Sequence, residues 1–180
     1  MTQKPQLIDS TIVAHSRLFD IEDLHLRFSN GVERHFERIK GRSLGSVMIV
    51  PMLNDHTVLL IREYSAGVED YVLGFPKGSV QKAEDLLATA ERELKEEVGY
   101  GARDLSVVAR FSASPAYLHS MMHIVLAKNL YPQREVGDEP ESMEVIPWDL
   151  NRVDELLIHP EFHEARSVAA LYVIERQRHA

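Results

Sequence analysis

Leu24, Leu26 and Phe28 alternate with polar residues, Asn30-Gly31 supplies two positions that accept positive φ, and Val32 to Ile39 then returns. The pattern predicts an antiparallel hairpin near the N-terminus. Ser46 to Leu53 and Thr57 to Tyr64 are rich in Val, Ile and Leu and flank Asn54-Asp55-His56, so they read as a second pair of strands. Leu105 to Phe111 and Met121 to Ala127 add two more. Three stretches carry the helical period instead. From Glu84 to Val98, the residues Leu86, Leu87, Ala90, Leu94 and Val98 form one apolar stripe, which Gly99 is placed to end. Trp148 to Leu157 reads as a short helix. His163 to Gln177 sets Val168, Leu171, Tyr172 and Ile174 near one face and leaves Arg166, Glu175 and Arg176 for water. Pro76-Lys77-Gly78 reads as a backbone turn, and Ala88 and Ala90 are small enough for close helix packing. No repeat or flexible linker divides the chain, so residues 1–180 form one domain of the α+β class, a mixed β-sheet sandwiched between helices (α/β/α) with an N-terminal hairpin.

Composition narrows the chemistry. The chain has no Cys, which excludes a disulfide scaffold, a thiolate metal cage and a thiol nucleophile, and fits a reducing, cytoplasmic setting. Its longest apolar run is Val47 to Leu53, too short for a membrane span, and Met1 to Ser10 lacks the apolar stretch of a signal peptide. A formal charge of −8 repels a nucleic-acid backbone. Any phosphate-bearing ligand therefore calls for a mediating cation. No GxGxxG, GxxxxGK[ST] or GxSxG pattern occurs, and Pro160 makes a helical His159/His163 metal pair unfavourable.

One cluster meets that need for a cation. Glu93, Glu96 and Glu97 are spaced i, i+3 and i+4, so on a helix they share one arc beside the apolar stripe. Three like charges on one face repel, and a hard divalent cation among their oxygens reverses the sign of that interaction. Taken alone, a Glu-rich run with Lys and Arg is most often a solvated helix face. The surrounding spacing decides otherwise. Gly78, five residues, Glu84, seven residues, then Arg92-Glu93-Leu94-x-Glu96-Glu97-x-Gly99 resembles the Nudix box, here spanning 78–100, of hydrolases that cleave nucleoside diphosphates linked to another moiety. Eight of nine specified positions match, the ninth being Tyr100 in place of an aliphatic residue.

The likeness extends across nearly the whole chain. Ser29-Asn30-Gly31-Val32, Phe36-Glu37-Arg38, Val47 to Pro51, Leu60-Ile61-Arg62-Glu63-Tyr64 and Gly137-Asp138-Glu139-Pro140-Glu141 resemble the ADP-ribose pyrophosphatase branch, and within it the bacterial hydrolases of ADP compounds. Three positions depart from the wider branch. Gly74 stands where a Glu is common, Lys77 replaces an Ala, and Ser65 sits where an Arg is frequent, differences that bear on substrate contacts and not on the metal site.

Position by position, the resemblance implies that Glu93 and Glu97 are principal Mg²⁺ ligands, with Glu96 and the Lys77 carbonyl contributing; Mn²⁺ is the alternative ion. Arg92 and Glu84 would orient the carboxylates, and Gly78, Glu84 and Gly99 would shape the box. A Glu on the acidic loop, Glu141 or Glu139, would serve as general base, with Glu96 competing. Arg34, Arg38, Arg62 and Phe28 are candidates for holding the adenosine. The resemblance further implies a homodimer in which residues 1–44 exchange between subunits. The expected activity is Mg²⁺-dependent attack of water on ADP-ribose and related ADP-linked compounds, diadenosine polyphosphates and NADH included, giving AMP and a phosphorylated second product. The competing readings are a hydrolase of another nucleoside diphosphate sugar, or a non-catalytic nucleotide-binding module; the latter usually loses a metal carboxylate, and all three are present here.

Overall fold

The computed structural model describes residues 3–41, 45–82, 84–137 and 140–178. Strands β1 (Gln6–His15), β2 (Phe19–Arg27) and β3 (Glu33–Gly41) form an antiparallel meander, with β2 and β3 joined through Asn30-Gly31 at a φ of +81° on the glycine. The predicted hairpin is present. The strand before it was not predicted, because β1 buries almost nothing and so carries no apolar alternation.

The second sheet holds β4 (Ser46–Asn54), β5 (Thr57–Ser65), β6 (Asp70–Gly74), β7 (Lys77–Ser79), β8 (Tyr100–Phe111), β10 (Met122–Pro132) and β11 (Glu144–Asp149). Its main path runs β11-β5-β4-β10-β8, while β6 pairs with β5 and β7 with β4. The two-residue β9 (Leu118–His119) belongs to the first sheet, beside β3. Among the described strands of the second sheet only β4 and β10 run parallel, which makes the sheet mixed.

Along β4 the side chains alternate between two cores, as a pleated strand requires. Val47 and Ile49 join Leu59, Ile61, Ala90, Leu94 and Val98 on one face. Met48, Val50 and Met52 join Leu60, Phe75, Leu156, Ala170, Leu171 and Ile174 on the other. Helix α1 (Leu86–Glu93) thus covers the first face, and α2 (Val153–Leu157) and α3 (Ala165–Arg178) cover the second. The expected three-layer arrangement is realised.

Four local expectations are corrected. Lys77–Ser79 is a short strand paired to β4 rather than a turn, because Gly78 and its neighbours continue the ladder opposite Val47. Trp148 lies within β11, and the helix after it starts only at Val153, preceded by a 3₁₀ turn whose cap is Asp149. Tyr172 is exposed, and its place on the buried face of α3 goes to Ser167 and Ala170. Leu87 and Ala88 are also exposed, whereas Thr89 is buried with Ala90.

No residue of β1, β2 or β3 belongs to either core cluster of the second sheet. The first sheet is instead tied by polar links, chief among them Glu22, which is buried on β2. Ser10 Oγ donates to it at 2.9 Å, Arg38 Nε at 2.6 Å and Lys40 Nζ at 3.0 Å. Burial alone would raise this carboxyl, but the Lys40, Arg38 and Ser10 hydrogen bonds together hold it down at about 2. One acid thereby links all three strands.

Candidate metal and diphosphate site

Asp85 begins the site. Its carboxylate accepts from the backbone N–H groups of Leu87 and Ala88 at 2.9 and 2.8 Å, which caps α1 and fixes the direction of the helix that follows. Beyond Glu93 the chain widens into one π-helical turn, Leu94–Val98, and Gly99 closes it at a φ of +83°, where its N–H bonds to the Leu94 carbonyl at 3.1 Å. A side chain at that φ would be strained, so glycine terminates the turn. Arg134, which sequence reading did not single out, donates at 3.4 Å to the carbonyls of Glu96 and Val98 at this same end.

The carboxylates project from this helix end toward β7. Glu93, Glu96 and Glu97 line one cavity of about 660 Å³ together with Lys77, Gly78, Ser79, Gln81, Arg92, Glu63 and the loop residues Val136, Gly137, Pro140 and Met143. Glu93 and Glu97 are buried, and Glu96 is half-buried. Burial pushes the Glu97 carboxyl up to about 8; the Lys77 charge and backbone N–H oppose this, while Glu93 and Glu63 add to it. The Lys77 N–H donates to Glu97 Oε2 at 3.0 Å, which ties β7 to the helix.

Arg92 organises the rest. Its Nε and Nη2 donate to the two oxygens of Glu84 at 2.9 and 3.2 Å, and Nη1 stands 2.9 Å from both Glu93 Oε1 and Glu96 Oε2. These bonds, led by the one to Glu84, hold the guanidinium firmly charged, and the same Arg92 contact lowers Glu84. Glu84 also accepts from Thr89 Oγ1 at 3.0 Å. Arg92 and Glu84 thus form one hydrogen-bonded unit.

Gly78 is demanded by a close approach. A methyl group built on it would fall 1.9 Å from Glu93 Oε1. The box glycine therefore makes room for a carboxylate.

The other candidate residues lie elsewhere. Glu141 accepts a hydrogen bond from the Tyr71 hydroxyl at 2.7 Å and does not line the cavity, although its neighbour Pro140 does. Glu139 lies outside the described residues. None of Arg34, Arg38, Arg62 and Phe28 lines the cavity. Arg62 is bound to both oxygens of Glu161, at 2.6 and 3.1 Å, and stacks over Tyr71. Arg38 holds Glu22, Arg34 donates to the Glu33 carbonyl at 2.7 Å, and Phe28 leans on Phe36 at 6.1 Å between ring centroids. Sequence reading passed over Glu63. It lines the cavity from β5 as an acidic position three residues beyond the buried Leu60, but its spacing from the box gave no cue.

Among the described residues no three Asp, Glu or His groups converge tightly enough to close a metal cage unaided. The donors are hard oxygens on an open wall, as suits a cation that keeps several waters and shares a substrate phosphate.

Comparison with known proteins places these features in context. A family profile described as NUDIX domain matches residues 43–172, and one described as NudE-type Nudix hydrolase N-terminal domain matches 5–38. The chain is 47% identical over 172 residues to the ADP compounds hydrolase NudE of Escherichia coli (strain K12), covering 96% of this chain and 92% of that protein. It is 28% identical to the ADP-ribose pyrophosphatase of Bacillus subtilis (strain 168), covering 86% and 83% of the two chains. A crystal structure of an ADP compounds hydrolase superposes with a TM-score of 0.89 at 46% identity, covering 98% of this chain and 95% of that one.

Proposed function

The chain belongs to the Nudix family of hydrolases, and from that premise we propose that it cleaves the diphosphate bond of ADP-ribose and related ADP-linked compounds, releasing AMP. What carries the reading is that Glu93, Glu96 and Glu97 meet β7 around one cavity. The family works with a divalent metal, and we take it here to be Mg²⁺, with Mn²⁺ able to substitute. The site suits such an ion on its own chemistry. Glu97 is a carboxyl buried beside two others, its burial outweighing the Lys77 charge and N–H set against it, and Arg92 is committed to Glu84, Glu93 and Glu96.

Glu93 and Glu97 would hold the ion, with Glu96 and the Lys77 carbonyl as further oxygens. When bound, it neutralises charge building on the diphosphate oxygens. The chain supplies the rest. Arg92 fixes Glu93 and Glu96 in place, so their orientation is settled before substrate arrives. Glu96 borders the cavity and would take the proton from water, whereas Glu141 does not line it. Pro140 stiffens the loop that walls the far side.

Incubating the protein with ADP-ribose and a few millimolar Mg²⁺, ample for an open oxygen site, should release AMP and ribose 5-phosphate. Intact ADP-ribose would reject the proposal.

The raised Glu97 carboxyl makes metal binding depend on pH. Below about 8 the folded protein holds a proton there, and the cation must expel it. Mg²⁺ affinity should therefore rise about tenfold per pH unit between roughly pH 6 and 8, then level off. Titration calorimetry in two buffers of different ionisation enthalpy should find about one proton released per ion at pH 6.5. A pH-independent affinity would contradict the assignment. The sign for stability follows: without metal, the folded state retains a proton that the unfolded chain, at 4.5, has lost. Stability should then fall as pH rises from 4.5 to about 8.

The chain works, in our reading, as one domain, 1–180, whose residues 1–44 serve a homodimer. Leu7, Val13, Phe19 and Phe36, with Leu18 in the turn between β1 and β2, are exposed on a sheet that shares neither core cluster, and a second copy would cover them. Light scattering at micromolar concentration should return about twice the 20.5 kDa chain mass. A monomer would contradict the dimer. No helix among the described residues is long and apolar enough to cross a membrane, and we place the enzyme in the cytoplasm.

A further inference from the structure

Beside the acidic cavity lies a smaller one of about 230 Å³, lined by Ser65, Val72, Gly74, His163, Glu164 and Arg166 among others. Two residues, Glu63 and Lys77, line both cavities, and they are joined across the boundary by an ion pair of 2.6 Å between Lys77 Nζ and Glu63 Oε2. The pair forms a partition. Its root is rigid on one side, because the Lys77 backbone is paired to β4 and bonded to Glu97. Its tip is not, because the lysine side chain is a quarter exposed and Glu63 more than a third.

Among the described residues, two cationic side chains line the acidic cavity, Arg92 and Lys77. Arg92 is spent on Glu84, Glu93 and Glu96. We propose that Lys77 is a specificity-determining residue: its ammonium exchanges Glu63 for a non-bridging oxygen of the substrate diphosphate, and that exchange opens the smaller cavity to the group linked beyond the diphosphate. This rests on the diphosphate reading above and extends it. An ammonium is a compact, strongly hydrated donor on a flexible stem, suited to following a phosphate oxygen without fixed geometry. The open cavity offers Ser65, His163 and Arg166 as polar contacts, the chemistry of a hydroxylated or phosphorylated moiety.

The test compares Lys77→Met, Lys77→Arg and Glu63→Gln. At saturating Mg²⁺, so that loss of the Lys77 charge beside Glu97 does not empty the metal site, Lys77→Met should raise KM for ADP-ribose by about 10- to 100-fold, the size of one lost charge-assisted hydrogen bond, with kcat within a few fold. Lys77→Arg should recover most of it. Glu63→Gln should lower KM, since Lys77 no longer has to break an ion pair. Parallel losses of kcat in the Lys77→Met and Glu63→Gln variants, or an unchanged KM in Lys77→Met, would make the pair a structural brace and overturn the proposal. Inorganic pyrophosphate binding in the presence of Mg²⁺ separates this failure from that of the enzymatic reading. If the unsubstituted chain binds pyrophosphate but leaves ADP-ribose intact, the functional reading fails; weaker pyrophosphate binding in Lys77→Met still supports the lysine's role, and equal binding overturns it.

Discussion

Glu97→Gln is expected to lower kcat at least about a hundredfold while the protein, stripped of metal with a chelator, melts at a higher temperature than the unsubstituted chain. The two effects have one origin. Glu97 is 5% exposed, and its carboxyl is pushed up to about 8 chiefly by burial, with Glu93 and Glu63 repelling it further. Above that pH the folded protein carries a charge it would shed if it could, and the amide removes it. The amide oxygen can still accept the Lys77 N–H, so β7 keeps its tie to the helix. Each kcal/mol relieved is worth about 2–4 °C in a domain of this size. Catalysis moves the other way, because a neutral amide is a poor ligand for a hard cation, and losing one preorganised electrostatic group typically costs 10²–10³ in rate. Scanning fluorimetry with EDTA at about pH 8.5, above the raised carboxyl, and AMP release with Mg²⁺ read the two halves separately. Retained turnover, or a lower melting temperature in the metal-stripped variant, would show that Glu97 is an ordinary buried acid.

The carboxylate cluster could be read before any coordinates because charge density and spacing are local properties. Glu93, Glu96 and Glu97 fall within five residues, and any helix through them gathers them on one arc. The sheet was legible for a similar reason: Val47 to Val50 face two cores in alternation, which leaves an unbroken apolar run. The first strand was not legible, since its ten residues bury nearly nothing and polar and apolar positions are free to mix. The π-helical turn was equally hidden. One i→i+5 turn shifts the helical phase too briefly to leave a period, although it sets how Glu96 and Glu97 stand relative to Glu93.

The substrate side was opaque for a different physical reason. A cation in a sequence announces its charge but not its partner, and in the fold Arg62 is claimed by Glu161, Arg38 by Glu22 and Arg34 by a backbone carbonyl. Lys77 shows the converse. It drew attention for its carbonyl, while its ammonium turned out to stand at the boundary of two cavities. The Arg62 pairing spans 99 residues and the Arg38 pairing 16, and no local pattern encodes either.

Gly78→Ala should abolish most of the activity while leaving the protein folded, a larger loss than removal of a single methyl's worth of space would suggest. Gly78 lies in β7 opposite Val47, a strand position that alanine adopts without strain. The nearest obstacle is the Glu93 side chain, whose Oε1, Cδ and Cγ would stand 1.9, 2.0 and 2.5 Å from the new carbon. None of these three atoms is backbone, so the fold has an escape: Glu93 swings aside. That escape is what destroys the site. Glu93 is 8% exposed and bound to Arg92 Nη1 at 2.9 Å, so moving it withdraws a proposed metal ligand and frees the arginine that also steadies Glu96. A fall in kcat of about a hundredfold or more follows from losing one such group, accompanied by a weaker Mg²⁺ affinity in calorimetry. Stability should drop by only about 1–3 kcal/mol, the usual cost of overpacking a tight contact. Removing the side chain beyond its first carbon, Glu93→Ala, discriminates between causes. In the Gly78→Ala background it takes away the three overlapping atoms and should restore part of the lost melting temperature, whereas in the unsubstituted chain it only withdraws a proposed metal ligand. Equal effects of Glu93→Ala in both backgrounds would mean that the two residues do not contend for the same space, and that the box glycine owes its place to something other than this carboxylate.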